Sequence, residues 1–421
     1  MAPSFPPWRT DRSESLDCST PVVLLTRVRR LSSYGVLGVI RSLGRLGVPV
    51  HWVHAPGAAA AARSRYVAGR HLLDPDAKPD DALERLVNVS RAVGGRPILV
   101  PTDDPAAYFL DDHAKALSGL FRFPHRPQGL ARQLADKREM YALCSEFGVP
   151  TPDTSFPESA ETAVDIAEAM SFPVVLKGID TTALGQRTGV RMLIVRTPEE
   201  LSSAYEALAA SGESGLMVQS YIPGPPQSVW MFNGYFDAES KCRFGGCGRK
   251  LRQSPPYTGP TSLGVCTTND TVYDTTVRLM DGVGYSGILD IGYRYDERDG
   301  QYKLLDVNPR LGATFRLWVA PNGLDVVRAL YLDLTGQPLS DDTCSDGRKW
   351  LLETSDAASS WTYRRDGRLS IRGWLGSLRG VEEAGWFARD DPWPAAQEYT
   401  AAVRKLIRAG LGGGPPPAGQ Q

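Results

Sequence analysis

The chain has 421 residues, with 47 Lys and Arg against 48 Asp and Glu and a formal net charge of −1. A length beyond what one hydrophobic core usually supports implies two or three packed units, and the near-neutral balance lacks the electrostatic footprint of a nucleic-acid binder, so a small-molecule substrate is expected. No run approaches the ~18 consecutive apolar residues of a membrane span, and residues 1–20 lack the apolar stretch of a signal peptide. A cytoplasmic protein with no membrane partner is expected. The six cysteines, Cys18, Cys144, Cys242, Cys247, Cys266 and Cys344, form no CxxC pair and read as reduced thiols.

Residues 21–26 (PVVLLT) are a short β-branched apolar run, 34–46 carry apolar residues at helical spacing, and 48–53 form the next apolar run, which predicts a βαβ opening. A helical stretch at 80–93 and a strand at 97–101 (PILVP) extend it into a Rossmann-like parallel α/β unit. Gly35 and Gly38 follow the first strand without the GxGxxG spacing, which argues against a nicotinamide cofactor. Punctuation at 124–129 (PHRPQG) marks a boundary, and a helix with Asp136 near its start runs to Phe147, where GVPTP stops it. Next come a helix at 160–170, a strand at 173–177, a Gly/Thr-rich loop at 178–189, a strand at 190–195, a helix at 198–210 and a strand at 216–220. That order is an α+β module.

From 228 to 305 strand-like runs alternate with the turn signals Asn233-Gly234, Gly245-Gly246 and Asp299-Gly300, which predicts a mostly antiparallel second sheet. The expected division is therefore a tail at 1–20, an α/β domain at 21–125, a two-part α+β body at 126–340 divided near 222 and 223, an Arg/Trp-rich extension at 341–410, and a Gly/Pro-rich disordered tail at 411–421.

The sharpest chemical signal lies between Gly287 and Arg310. If the turn at 296–300 closes a hairpin with Tyr295 opposite Gln301, Asp290 falls opposite Asp306 and Asn308 follows on the same face. Opposed Cβ atoms lie ~5 Å apart, and two like charges there repel unless a cation sits between them. Two carboxylates and an amide suit magnesium, which keeps waters and takes its remaining ligands from phosphates. A solvent-facing hairpin with hydrated acids fits the same pattern, because register can slip by one residue. Arg310 adds a guanidinium fork suited to a phosphoryl group or an oxyanion. The other face, Leu289, Ile291, Tyr293, Leu305 and Val307, is expected to pack into the core.

These residues resemble the ATP-grasp superfamily, and within it the carboxylate–amine ligases that include the D-alanine–D-alanine and D-aspartate ligases. The likeness runs from about residue 21 to 340. Its most specific piece, LLDVNPRLG at 304–312, is similar to the family's magnesium motif, and the segment after 345 is similar to the extension of D-aspartate-ligase-like proteins. The resemblance implies an ATP-grasp fold at 126–340 that binds ATP and Mg2+, with Mn2+ as a substitute ion, between subdomains at about 150–222 and 223–340. It implies Asp290, Asp306 and Asn308 as metal ligands. Lys137 in ADKREMY and Lys177 in FPVVLKG resemble the lysines that reach ATP, and GIDTTALGQRTG at 178–189 resembles the mobile phosphate lid.

Within MVQSYIPG at 217–224 the resemblance assigns the adenine site to Gln219 by its side chain, Ser220 and Ile222 by backbone and Tyr221 by packing. Gln227 stands where an acid usually meets the ribose. Lys250 and Arg252 in GRKLRQ match the cations of the β- and γ-phosphates, and with Arg310 they form the expected catalytic set. D-alanine ligases carry an arginine two residues before the first magnesium acid; this chain has Ile288, so Arg310 is expected to take that role. The implied reaction activates an amino-acid carboxylate, with the side chain of Asp or Glu as one candidate, as an acyl phosphate and joins it to an amine such as a second amino acid. Arg310 and Arg316 would recognise acid groups, and a homodimer is the implied assembly. A small-molecule kinase on the same fold and a non-catalytic ATP-binding regulator are the alternatives.

Overall fold

The computed structural model describes residues 16–29, 33–57, 59–179, 181–190, 192–212 and 215–411, so the expected tails at 1–20 and 411–421 lie mostly outside the described residues. The N-terminal unit runs β1 (Val22–Leu25), α1 (Tyr34–Gly44), β2 (Val50–His54), β3 (Val67–Leu72), α2 (Pro79–Val93), β4 (Ile98–Pro101) and α3 (Asp104–Asp112). Its four strands pair in parallel in the order β3-β2-β1-β4. Every residue of β1 is buried, as a central parallel strand covered on both faces requires. Strand β3 went unread in the sequence because it is an edge strand whose burial only alternates between half-buried and exposed. Helix α1 is buried along nearly its whole length. Its two glycines serve packing: a Cβ on Gly35 would lie 2.8 Å from the Ala313 Cα, and one on Gly38 2.8 Å from the Phe315 ring.

After α4 (Ala114–Leu117), α5 (Leu130–Ala135) and α6 (Lys137–Glu146), a small module follows: β5 (Thr154–Ser155), α7 (Ala160–Met170), β6 (Val174–Gly178), α8 (Thr181–Thr188), β7 (Met192–Val195), α9 (Pro198–Ala210) and β8 (Leu216–Ser220). Its strands form an antiparallel sheet in the order β5-β8-β6-β7. The loop expected at 178–189 is corrected: α8 occupies 181–188, and Leu184 docks it into the cluster built from α7, α9 and the sheet. Ala, Leu, Gln and Arg are good helix formers, and the flanking glycines hid that.

The third body contains β9 (Val229–Phe236), β10 (Cys242–Gln253), β11 (Thr261–Cys266), α10 (Asp270–Gly282), β12 (Gly287–Asp296), β13 (Gln301–Asn308) and α11 (Val326–Leu334). The segment after 341 adds β14 (Lys349–Leu351), α12 (Glu353–Arg365), α13 (Ile371–Ser377), β15 (Val381–Ala384) and α14 (Trp393–Leu411). Strand order is β13-β12-β9-β10-β11-β14-β15, antiparallel except for the last pair, so the extension completes this sheet. Among the described residues no helix is long and apolar enough to cross a membrane.

One core cluster joins α1 and one face of the parallel sheet to α11, Phe315, Trp318 and the large sheet. The extension is tied to it by buried charge. Asp391, fully buried, accepts from Arg41 Nε at 3.0 Å, Ser64 Oγ at 2.7 Å and the Arg65 N–H at 3.0 Å. Removing one partner of such a pair strands the other without water, so Asp391→Ala is expected to cost about 3–5 kcal/mol in chemical denaturation. Asp112→Ala, which breaks an exposed pair with Arg132, is expected to cost under ~1 kcal/mol in the same measurement.

Candidate active site

The acid-bearing hairpin is β12–β13, and its register corrects the sequence reading. Asp296 pairs with Gln301 and Tyr295 with Tyr302, and between Gly292 and Tyr293 the ladder shifts, so Asp290 lies opposite Asn308 and Gly292 opposite Asp306. Two residues of β13, Leu305 and its neighbour, answer a single step on β12, which is a β-bulge. The bulge also reassigns the inner face: Leu304, with Leu289, Ile291, Tyr293 and Val307, is buried in the core, whereas Leu305 lines the cleft.

Despite the shifted pairing the three polar side chains converge. Asn308 Nδ2 lies 2.9 Å from Asp306 Oδ2 and 3.5 Å from Asp290 Oδ2. Two glycines make room for them. A Cβ on Gly312 would lie 2.5 Å from the Asp290 carboxyl carbon, and one on Gly292 would collide with Asp306 Oδ1. Among the described residues no three His, Cys, Asp or Glu gather as a metal centre. The donor set is thus two carboxylates and one amide, all oxygen ligands once the amide turns its carbonyl inward, which fits a hard divalent cation that keeps waters and phosphate oxygens.

The charges around this set are unbalanced by burial. Desolvation pushes the Asp290 carboxyl up to about 6, with Arg310 opposing and Asp306 adding repulsion. Burial would also raise Asp306, but Lys137 and Lys250 outweigh it and hold that group below its ordinary value. Each lysine comes from a different element: Lys137 opens α6 behind the capping Asp136, Lys177 lies near the end of β6, and Lys250 lies in β10. All three pKa values are lowered, first by desolvation, and that of Lys177 falls to about 7 with repulsion from Lys137 contributing. Lys137 Nζ approaches the Leu305 carbonyl at 3.4 Å, and Lys250 Nζ the Gly259 carbonyl at 3.4 Å. Arg310 donates from Nε to Asp104 Oδ1 at 2.7 Å and from Nη2 to Asn308 Oδ1 at 3.2 Å.

Other expected residues are placed differently. Gln219 is buried with both ends of its amide engaged: Nε2 donates to the Tyr141 hydroxyl at 2.7 Å and Thr154 Oγ1 at 2.8 Å, and Oε1 accepts from Lys177 at 3.1 Å. Its side chain lines the cleft and holds the Lys177 ammonium. The Ser220 N–H donates to the Asp153 carbonyl, while Tyr221, Ile222 and the exposed Gln227 line the cleft. Arg252 is the clearest correction. A bulge in β10 at Leu251 breaks the alternation with Lys250, and the Arg252 guanidinium forks onto the buried Asp356 at 2.7 and 2.8 Å. Arg316 is likewise structural, paired in the core with Asp325 and Glu383.

Sequence reasoning missed Asp104 and Asp356. The first stood in view: Thr102-Asp103-Asp104-Pro105 after a strand is a helix-start signal, and Asp103 does cap α3. Nothing local marks Asp356 as the partner of a residue 104 positions earlier.

A family model described as an ATP-grasp domain matches residues 128–223. The chain is 26% identical over 277 residues to the D-aspartate ligase of Enterococcus faecium, a match that covers 63% of this chain and 63% of that protein. Its fold is similar to the biotin carboxylase domain of Hydrogenobacter thermophilus 2-oxoglutarate carboxylase, solved with MgADP, at a TM-score of 0.60 and 19% identity over 77% of this chain and 72% of that one. It is also similar to an L-amino acid ligase from Bacillus licheniformis, at a TM-score of 0.57 and 14% identity over 76% and 75% of the two chains.

The depressed Lys177 gives a pH test with a definite sign. Above about pH 7 the folded chain holds this lysine neutral while the unfolded chain keeps it charged up to about 10.5, so its contribution to stability rises with pH across that window. A phosphate placed against Lys177 draws the proton back, so calorimetric titration with ADP at pH 8.5, in buffers of different ionisation enthalpy, is expected to show proton uptake that Lys177→Met abolishes.

Proposed function

We propose that this chain, whose residues 128–223 match an ATP-grasp domain model, is an ATP- and magnesium-dependent carboxylate–amine ligase acting on an amino-acid carboxylate. The observation that supports the reading is the convergence of Asp290, Asp306 and Asn308 beside the buried Lys137 and Lys177 and the half-buried Lys250, which come from three separate elements. A cation site and a set of positive charges side by side in one cleft match a nucleotide triphosphate with its metal better than they match any neutral ligand. The similarity to a D-aspartate ligase supports an amino acid as the acid substrate and an amine as its acceptor.

A carboxylate resists attack by an amine because the oxygen it must lose is a poor leaving group. In the proposed reaction a substrate carboxylate oxygen attacks the γ-phosphorus of ATP, the bond to the β-phosphate oxygen breaks, and ADP leaves an acyl phosphate behind. The amine then adds to the acyl carbon, loses its proton, and expels inorganic phosphate to give the amide. Magnesium, held by Asp290, Asp306 and Asn308, would neutralise phosphate charge. Lys177, oriented by Gln219, and Lys250 would share that charge from the two sides of the cleft, with Lys137 behind them. Arg310, kept in place by Asp104, is positioned to stabilise the oxyanion that forms when the amine adds; such a donor is typically worth ~3 kcal/mol. Arg252 and Arg316 take no part, because both guanidinium groups are engaged by buried acids.

Incubation with ATP, Mg2+, hydroxylamine and each amino acid in turn is expected to give an acyl hydroxamate with at least one of them. Asp306→Ala is expected to lower that rate by about 10^3-fold, the scale of losing a group that acts only in the reacting complex. Absence of ATP-dependent hydroxamate with every amino acid would remove the ligase reading, and a stable phosphoester product would replace it with a kinase.

A further inference from the structure

The wall of the cleft beside Lys250 is a loop at residues 254–260 that the reaction scheme does not use. Its backbone closes on itself: Ser254 N–H donates to the Pro260 carbonyl at 3.0 Å, Thr258 N–H to Pro256 at 2.9 Å, and Gly259 N–H to Pro255 at 3.0 Å. Gly259 sits so close beneath Ser254 that a Cβ there would collide with backbone atoms. The Gly259 carbonyl is the point on which Lys250 Nζ and Gln253 Nε2 both converge, at 3.4 and 2.7 Å. Where this carbonyl stands therefore bears on where the Lys250 ammonium stands.

At the tip of the loop Tyr257 adopts φ +69°. A bulky residue rarely takes that left-handed backbone, and it persists only where the surroundings over-determine it. Here the surroundings come from the C-terminal extension. The Tyr257 N–H donates to the Tyr363 hydroxyl at 3.2 Å, and the Tyr257 hydroxyl donates to Asp366 Oδ2 at 3.1 Å. The two tyrosine rings meet edge to face, with centroids 5.1 Å apart. Tyr363 lies on α12 and is buried, and α12 is itself anchored: Asp356 accepts the Arg252 fork, the Trp374 indole N–H at 3.0 Å and the Ser262 hydroxyl at 3.1 Å. The loop tip is thus gripped from a rigid base. Asp366 has a competing neighbour in Arg365, but that contact is 3.8 Å long and the arginine is largely exposed, so the tyrosine hydroxyl is the better-formed partner.

We propose that Tyr257, Tyr363 and Asp366 form a clasp through which the C-terminal extension holds the 254–260 loop against the cleft and, by way of the Gly259 carbonyl, positions the Lys250 ammonium. Asp366 and Tyr363 are then positioning residues for a phosphate-facing cation, an inference that rests on the role given above to Lys250. Released from the clasp, Tyr257 relaxes toward ordinary backbone angles, the Gly259 carbonyl shifts, and the lysine loses its fixed acceptor.

The test compares Asp366→Ala, Tyr257→Phe and Asp366→Asn in the full chain, the last keeping an oxygen acceptor for the tyrosine hydroxyl. Lys250 reactivity toward trinitrobenzenesulfonate is read by mass spectrometry without nucleotide, and kcat and KM for ATP are read from hydroxamate formation. Asp366→Ala and Tyr257→Phe are expected to speed Lys250 labelling and to lower kcat, each by about tenfold, the scale of one lost positioning hydrogen bond. The melting temperature should not move, and Asp366→Asn should restore both values to within about threefold of the parent. Unchanged labelling in the first two variants, or an Asn variant as impaired as the Ala variant, overturns the clasp. A parent chain whose Lys250 labels measurably yet turns over no ATP contradicts the ligase reading instead, and the labelling comparison still decides the clasp.

Discussion

Two carboxylates and an amide on one hairpin face, half-buried beside three lysines, set the terms for the rest of the molecule. Burial disfavours the charge on each acid and each ammonium, and the acids repel one another, so the cluster is held together by opposite charges that are near but mostly not in direct contact. Direct pairing of a lysine with an aspartate would relieve both and close the site. Instead the lysine nitrogens lean on backbone carbonyls and on Gln219, and the aspartates lean on Asn308. The charges stay separated and available. In the proposed function a divalent cation and a triphosphate would supply what each half lacks.

Keeping opposite charges near but apart needs a stiff frame, and the chain builds one from three sheets. The hairpin is the edge of the large sheet, Lys250 stands two strands inward on β10, and Lys177 reaches in from the small sheet opposite. Arg310 ties the hairpin end to α3 of the parallel unit through Asp104. The C-terminal extension braces the far side: β14 and β15 complete the large sheet, Asp391 holds Arg41, and Glu383 binds both Arg316 and Arg348. Arg252, expected at the nucleotide phosphates, and Arg316, expected at a substrate acid group, are paired with buried acids of this bracing.

What the sequence showed and what it hid follow from range. The alternation around Asp290 and Asp306 and the β-α-β opening are local patterns and legible, whereas Lys137, Lys177 and Lys250 come only from the family resemblance. The turn closes one residue later than expected, with Asp296 opposite Gln301, and the bulge at Leu305 adds a second one-residue shift; neither leaves a local mark, so the facing pair came out as Asp290 with Asp306 when it is Asp290 with Asn308. The amide of Gln219 reads as free until Tyr141, Thr154 and Lys177 are brought to it from three other segments. The family resemblance assigns Arg252 to phosphate, and only the fold delivers Asp356 to it. The glycines flanking α8 suggested a loop where a helix stands, whereas Gly35 and Gly38, which lack the dinucleotide spacing, serve close packing.

The central claim is that one divalent ion sits between the acids of the hairpin when nucleotide is bound. Diffraction from crystals grown with Mn2+ and a non-hydrolysable ATP analogue measures this directly through the anomalous signal of manganese. A peak within bonding distance of Asp290, Asp306 and the Asn308 amide oxygen, bridged to phosphate oxygens, is the expected result. A bound nucleotide with its metal elsewhere, or with those three side chains turned apart, would contradict it.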